Sequence, residues 1–323
     1  MLISNITPHS YYHSNAEALS QQVNEIDWIV PSADGSGELS QETRHLILHF
    51  DINRTLIACD QVQQKSARDV IINTLADQTE DLWDSQLTHP ISYSHYVKYH
   101  LFPNPTLSKE IKNKQKEEIC RFLDVMQEQD HPLYPALQRK FDHALSKLNQ
   151  QEGMIFPSFY KLLDYLNERG ISYTLVFRTF GADAPEIAAE LNGHFGEGFL
   201  TDIRPAQEKE TLYDFLKTTD HHVAIRDDWD TWYAHNEESN YGKPFPIDFE
   251  DSKRLSLFFD DGARLNKERP ERNGIAPYDV HRGVLSLEEL IAKNLLFPVD
   301  TLKALADENY FIDLIEKALT SGE

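Results

Sequence analysis

Short apolar strands alternating with amphipathic helices predict an α/β protein, a Rossmann-like parallel sheet core flanked by helices. Three observations carry this expectation. Runs such as "LILHF", "YTLVF" and "LSLFF" are short, apolar and end in polar residues, as buried parallel strands do. Segments such as "PSFYKLLDYLNERG" have helical spacing and are bounded by Pro and Gly. A long stretch, residues 61–150, keeps helical spacing without a core-type strand and reads as a mainly helical insertion.

Taken in order, residues 1–44 are polar and end in the loop-like "PSADGSGELSQETR". They read as an N-terminal extension with one short apolar piece, "IDWIVP". Residues 45–50 form the first strand. Within the insertion, "SARDVIINTLADQTEDLWDSQL" and "SKEIKNKQKEEICRFLDVMQEQ" have helical spacing, with Pro breaks at "HPISY", "FPNP" and "HPLYP". A strand-helix rhythm then returns. "PSFYKLLDYLNERG" stops at Gly170, "SYTLVF" leads to Thr179, and "DAPEIAAELNGHFG" is the next helix. "HHVAIRD" and "LSLFFDDG" are further apolar strands ending in acids. The expected organisation is an extension at 1–44, a core at 45–60 and 151–323, and the insertion at 61–150.

The chain has 323 residues and a formal net charge of −22, from 31 Lys and Arg against 53 Asp and Glu. Phosphate backbones need a basic footprint, so no nucleic-acid partner is expected, and anionic membrane surfaces are disfavoured for the same reason. No apolar run is long enough to span a bilayer. The N-terminus lacks the basic start and apolar core of a secretory signal. Cys59 and Cys120 give no disulfide framework, and a reducing, cytoplasmic location is expected.

In an open parallel sheet, ligands bind beyond the carboxyl ends of the strands. Three segments put polar residues there: Asp51 with Asn53, then Thr179, then Asp260 with Asp261. Converging carboxylates repel one another and call for a cation between them, and hard oxygen ligands suit Mg²⁺.

These segments resemble the motifs of the haloacid dehalogenase (HAD) superfamily of aspartyl-phosphate-forming phosphotransferases. "LILHFDINRT" looks like its first motif, an apolar strand followed by Asp-x-Asp-x-Thr, and "YTLVFRT" like its second. "YGKPFP" resembles the third motif, and "LSLFFDDG" the fourth. They occur in the family's order over roughly residues 45–265. The resemblance implies that the helical insertion is a cap over the site. It also implies a nucleophile at Asp51, a phosphate-binding hydroxyl at Thr179 and a cation at Lys243, with Lys253 and Lys209 as substitutes. Mg²⁺ would be held by Asp51, the backbone carbonyl of Asn53, and Asp260, with Asp261 close by or acting through water. The expected substrate is a small phosphorylated molecule. Arg178 is a candidate to contact it, with Arg226 as the other.

Asn53 departs from the family pattern. Phosphatases of this kind usually carry Asp two residues after the nucleophile, as general acid and base. Asn53 has no titratable proton, and losing such a group costs about 10²–10⁴ in rate. Aryl and acyl phosphates are therefore expected to be preferred, and Asn53→Asp is expected to recover part of the rate. The alternative is a catalytically impaired HAD-like protein that binds a phospho-ligand or a protein partner. A C–halogen hydrolase is disfavoured by the acid pair at 260–261, since that chemistry needs no Mg²⁺. The segment "RDDWDTWYAHNEESNYGKPFP" holds two of the four Trp residues. Asp227, Asp228, Trp229, Asp230 and Trp232 read either as a pocket mouth or as an insertion packed by its own aromatics.

Overall fold

A computed structural model describes residues 44–60, 65–104, 108–265 and 271–320. Apart from Arg44, the expected extension at 1–44 lies outside the described residues. The chain runs from β1 (His45–Asp51) into α1 (Ala67–Gln78). The two-residue strands β2 (Glu80–Asp81) and β3 (Ile91–Ser92) pair only with each other. Then come α2 (Tyr93–Tyr96), a π-helical turn (Val97–Leu101), α3 (Lys109–Cys120), α4 (Phe122–Glu128) and α5 (Tyr134–Gln150). The next elements are α6 (Pro157–Glu168), β4 (Tyr173–Thr179), α7 (Ala184–Phe195), β5 (Asp202–Pro205), α8 (Lys209–Thr218) and β6 (Val223–Arg226). After α9 (Trp229–Ala234) follow β7 (Lys243–Ile247), β8 (Arg254–Asp260), β9 (Ile275–Asp279) and β10 (Gly283–Val284). The chain closes with α10 (Leu287–Ala292), β11 (Leu296–Pro298), α11 (Thr301–Ala306) and α12 (Tyr310–Thr320).

Local chemistry sets several of these boundaries. Ser66 caps α1 in a reciprocal capping box with Asp69. Pro157 opens α6, and Gly170 adopts the left-handed φ of +64° just past its end. The stretch read as one helix over 108–129 divides at Arg121 into α3 and α4. Packing explains the break. In α3 only Ile119 is buried, whereas α4 buries Phe122, Leu123, Val125 and Met126, so the turn re-aims an apolar face into the core.

Six strands form one all-parallel sheet in the order β11-β8-β1-β4-β6-β5, so the protein has an α/β Rossmann-like fold. β1 lies between β8 and β4 and is buried from Leu46 to Asp51. Parallel pairing brings the carboxyl ends of β1, β4 and β8 to one edge. Phe50 locks the helix layer onto this centre: it stacks on Phe259 at 4.5 Å and meets Phe159 and Phe311 edge-on. A separate three-stranded sheet, β10-β9-β7, stands beside it. β7 contains Pro244 and Pro246, which cannot donate to a ladder, and it occupies an edge.

The helices between residues 67 and 150 share one continuous apolar cluster with the sheet, which includes Ile71, Phe122 and Phe141 as well as Phe50 and Phe258. Two ion pairs add polar links. Arg54 Nη2, just past β1, meets Asp77 Oδ2 of α1 at 3.1 Å, and Lys112 Nζ of α3 meets Glu237 Oε1 at 2.8 Å. Among the described residues, no helix is long and apolar enough to cross a membrane.

Burial alone would raise the Asp77 carboxyl, but Lys98 and Arg54 outweigh it and bring it down to about 2. A depressed carboxyl adds stability above its unfolded value and loses it as pH falls through the folded one. The shift of just under two units corresponds to roughly 2 kcal/mol. We expect Asp77→Asn to lower the unfolding free energy by about that amount at neutral pH. It should also flatten the loss of native stability between roughly pH 4 and 2, as read by urea titrations across that range. Parallel curves for both proteins would remove Asp77 as the link.

Candidate active site

Asp51 closes β1 and is 6% exposed. The register pairs Phe50 with Phe259, so Asp51 and Asp260 terminate neighbouring strands. Both carboxylates receive the same ammonium: Lys243 Nζ donates to Asp51 Oδ1 and, at 2.7 Å, to Asp260 Oδ2. Lys243 belongs to the side sheet and is held there from three directions. A Cβ on Gly242 would lie 2.6 Å from the Gly274 carbonyl, so only glycine lets the two backbones approach. The Lys243 amide donates to Gly274 O at 2.7 Å. The carbonyl of Pro244 accepts from Arg178 Nη1 at 2.7 Å.

Asp261 lies close to this pair. Its backbone amide donates to Thr55 Oγ1 at 3.0 Å, and its carboxylate meets Arg54 Nε at 3.2 Å. Arg54 takes the left-handed φ of +64°, an uncommon conformation for a non-glycine residue, and is gripped by Asp77 and Asp261. Carboxylate oxygens of Asp51, Asp260 and Asp261 lie within 4.8 Å of one another.

Burial pushes the Asp51 carboxyl well above its usual range; Lys243 opposes this, while Asp260 and Asp261 add to it. Burial likewise raises Asp261 against the pull of Arg54. It would lower Lys243, but Asp260, Asp51 and Asp227 outweigh it and the net shift is upward. Lys243 therefore stays an ammonium. Three carboxylates face Lys243 and an Arg54 that is shared with Asp77, which leaves surplus negative charge on hard oxygens. That donor set fits a divalent cation.

Asn53 and Thr179 converge on a residue that sequence reasoning missed. Asn53 Nδ2 donates to Asp183 Oδ2 at 2.7 Å, and Thr179 Oγ1 donates to the same oxygen at 3.1 Å. Gly181 N in turn donates to Thr179 Oγ1 at 2.8 Å. Asp183 is 1% exposed, and its Oδ1 has no hydrogen-bond partner among the described residues. The available signal was its place one helical turn after Thr179, directly before the Ala184-Pro185 start of α7.

Arg178 is corrected. Alternation does not exclude it as a substrate contact, because the register sets Arg178 level with Asp51 and Thr179 on the other face; its burial and its partners do. Arg178 is fully buried and grips Asp227 through two bonds, Nε at 3.0 Å and Nη2 at 2.5 Å. With the Pro244 carbonyl as a second partner, its guanidinium is committed to the protein and is not a substrate contact. Arg226 is exposed at the end of β6. Of the substitutes for Lys243, Lys209 bonds Asn240 O at 2.9 Å, and Lys253 is exposed at the opposite end of β8. Asp228 caps α9 through Thr231 N at 2.9 Å. Burial, with Asp183, Asp60 and Glu186, pushes the Cys59 thiol up to about 11, so it is no thiolate nucleophile. Against known proteins, the chain matches no family model, no curated protein and no solved structure.

Breaking one side of a buried ion pair leaves an unpaired charge and costs about 3–5 kcal/mol, whereas an apolar replacement of both partners is often neutral. Arg178→Met should fall in that range by urea denaturation, and Arg178→Met with Asp227→Leu should recover most of it. Full stability of the single variant would contradict this placement of the pair.

Proposed function

We propose that this protein is a Mg²⁺-dependent phosphohydrolase or phosphotransferase of the HAD type, working through an aspartyl phosphate on Asp51. The observation that carries the proposal is the Lys243 ammonium held between Asp51 and Asp260 at the ends of two adjacent strands. A carboxylate oxygen of Asp51 attacks phosphorus, a P–O bond forms to Asp51, and the P–O bond to the leaving group breaks. Lys243 supplies fixed positive charge to the transferring phosphoryl group. The Thr179 hydroxyl turns from Asp183 to a phosphate oxygen. Water or an alcohol then takes the phosphoryl group from Asp51. Mg²⁺ held by Asp51, the Asn53 carbonyl, Asp260 and Asp261 would neutralise charge on the phosphate.

Asn53 favours a second reading, an impaired enzyme that mainly binds its phospho-ligand. Its amide cannot protonate an alkoxide, and it is tied to Asp183. The same contact changes the substitution that tests the point. Asn53→Asp alone sets one carboxylate against another, where a hydrogen bond of 2.7 Å now stands. Exchanging the two residues keeps one amide–carboxyl bond and puts the acid at 53.

Turnover of aryl and alkyl phosphates with and without Mg²⁺ tests the proposal. We expect Mg²⁺-dependent turnover, abolished by Asp51→Asn, together with Mg²⁺ binding by calorimetry that Asp260→Asn abolishes. The combined Asn53→Asp and Asp183→Asn variant should raise alkyl phosphate turnover by on the order of tenfold or more, part of the ~10²–10⁴ that a positioned acid or base supplies. Absence of turnover in every form, with a phosphate analogue still bound, would select the second reading.

A further inference from the structure

Four aromatic rings run from the carboxylate cluster toward the helical insertion. Phe180 directly follows Thr179, and its ring centre lies 5.2 Å from Lys243 Nζ. Trp232 stacks on Phe180 at 5.0 Å with an interplanar angle of 11°. Trp229 meets Phe180 edge-on at 5.6 Å and Trp232 at 5.1 Å. Tyr233 stacks on Trp229 at 6.0 Å, and Lys112 Nζ of α3 lies 4.5 Å from the Tyr233 ring centre. A ladder of rings thus spans the distance between two ammonium groups.

Core packing does not account for it, although Trp232 Nε1 donates to Asn273 O at 2.9 Å. Phe180, Trp229 and Trp232 are half-buried, and Tyr233 is 39% exposed. None of the four belongs to either apolar cluster of the core, and α9 buries none of its residues. Rings that serve the fold, such as Phe50, Phe258 and Phe259, are fully buried. Large aromatic surfaces left partly open beside converging polar groups suit the apolar part of a ligand, and π-faces select a planar one.

We infer that the substrate is an aromatic phosphomonoester, whose ring lies against Phe180, Trp232 and Trp229 while its phosphate sits at Asp51. The inference rests on the phosphotransferase proposal. It is independent of the leaving-group effect of Asn53, because it concerns binding rather than bond breaking. Phosphonates separate the two, since they have no ester group to lose.

The test is calorimetric titration of the intact protein, with Mg²⁺, against phenylphosphonate and methylphosphonate. Ring stacking predicts that phenylphosphonate binds about tenfold more tightly. In Trp232→Leu and Trp229→Leu that ratio should fall toward one while methylphosphonate affinity stays unchanged, which also reports that each variant is folded. Equal affinities in the native protein, or a ratio that survives both replacements, overturns the ring inference and leaves phosphotransfer standing. Failure of the native protein to bind either phosphonate, with no turnover of any phosphomonoester, overturns both.

Discussion

One ammonium group in a buried place organises this protein. Lys243 Nζ sits between two carboxylates that parallel pairing forces together at the ends of β1 and β8. Buried carboxylates side by side are costly, and removing the cation would leave them uncompensated. Much of the surrounding structure serves to keep Lys243 there. Gly242 lets β7 approach the Gly274 backbone, and Arg178 anchors the Pro244 carbonyl one residue further on. Beneath, Asp227 fixes Arg178 in turn, and the Asp227 amide donates to Thr179 O at 2.7 Å. The layer under the site is thus a structural ion pair, and the layer above it carries the charges with chemical potential.

A second constraint comes from the insertion. Its helices share an apolar cluster with the sheet, yet α1 and α3 also send Asp77 and Lys112 to the end of the molecule where the carboxylates lie. Arg54 connects the two sides, gripping Asp77 of α1 and Asp261 of the cluster. The seating of α1 and the charge balance of the carboxylate cluster are therefore coupled through one side chain held in an uncommon backbone conformation.

The strand ends at Asp51, Thr179 and Asp260 are legible in the sequence because buried parallel strands are continuous apolar runs with abrupt polar ends. Strand order is not legible, since nothing in a strand's composition names its neighbour. β7 is hidden by its two prolines, which read as a loop until the edge of a separate sheet accounts for them. Arg178 is not excluded by alternation, since the register sets it level with Asp51; its commitment to Asp227, 49 residues on, comes only from the fold. Asp183 has no motif to mark it; its importance comes from the fold, which brings it to Asn53 across 130 residues. With Asp183 there, an amide at position 53 is the side chain that makes a hydrogen bond where a carboxylate would meet a carboxylate.

The nucleophilic role proposed for Asp51 is the centre of the proposed mechanism, and chemical trapping tests it most directly. The native protein would be incubated with Mg²⁺ and acetyl phosphate, quenched, reduced with borohydride and digested for mass spectrometry. Reduction converts an acyl phosphate on aspartate to the corresponding alcohol, homoserine. An aspartyl-phosphate mechanism predicts homoserine at residue 51, dependent on the phosphate donor and at no other acid of the cluster. Release of phosphate from the same donor with residue 51 recovered only as aspartate, or trapping at Asp260, Asp261 or Asp183 instead, would contradict it.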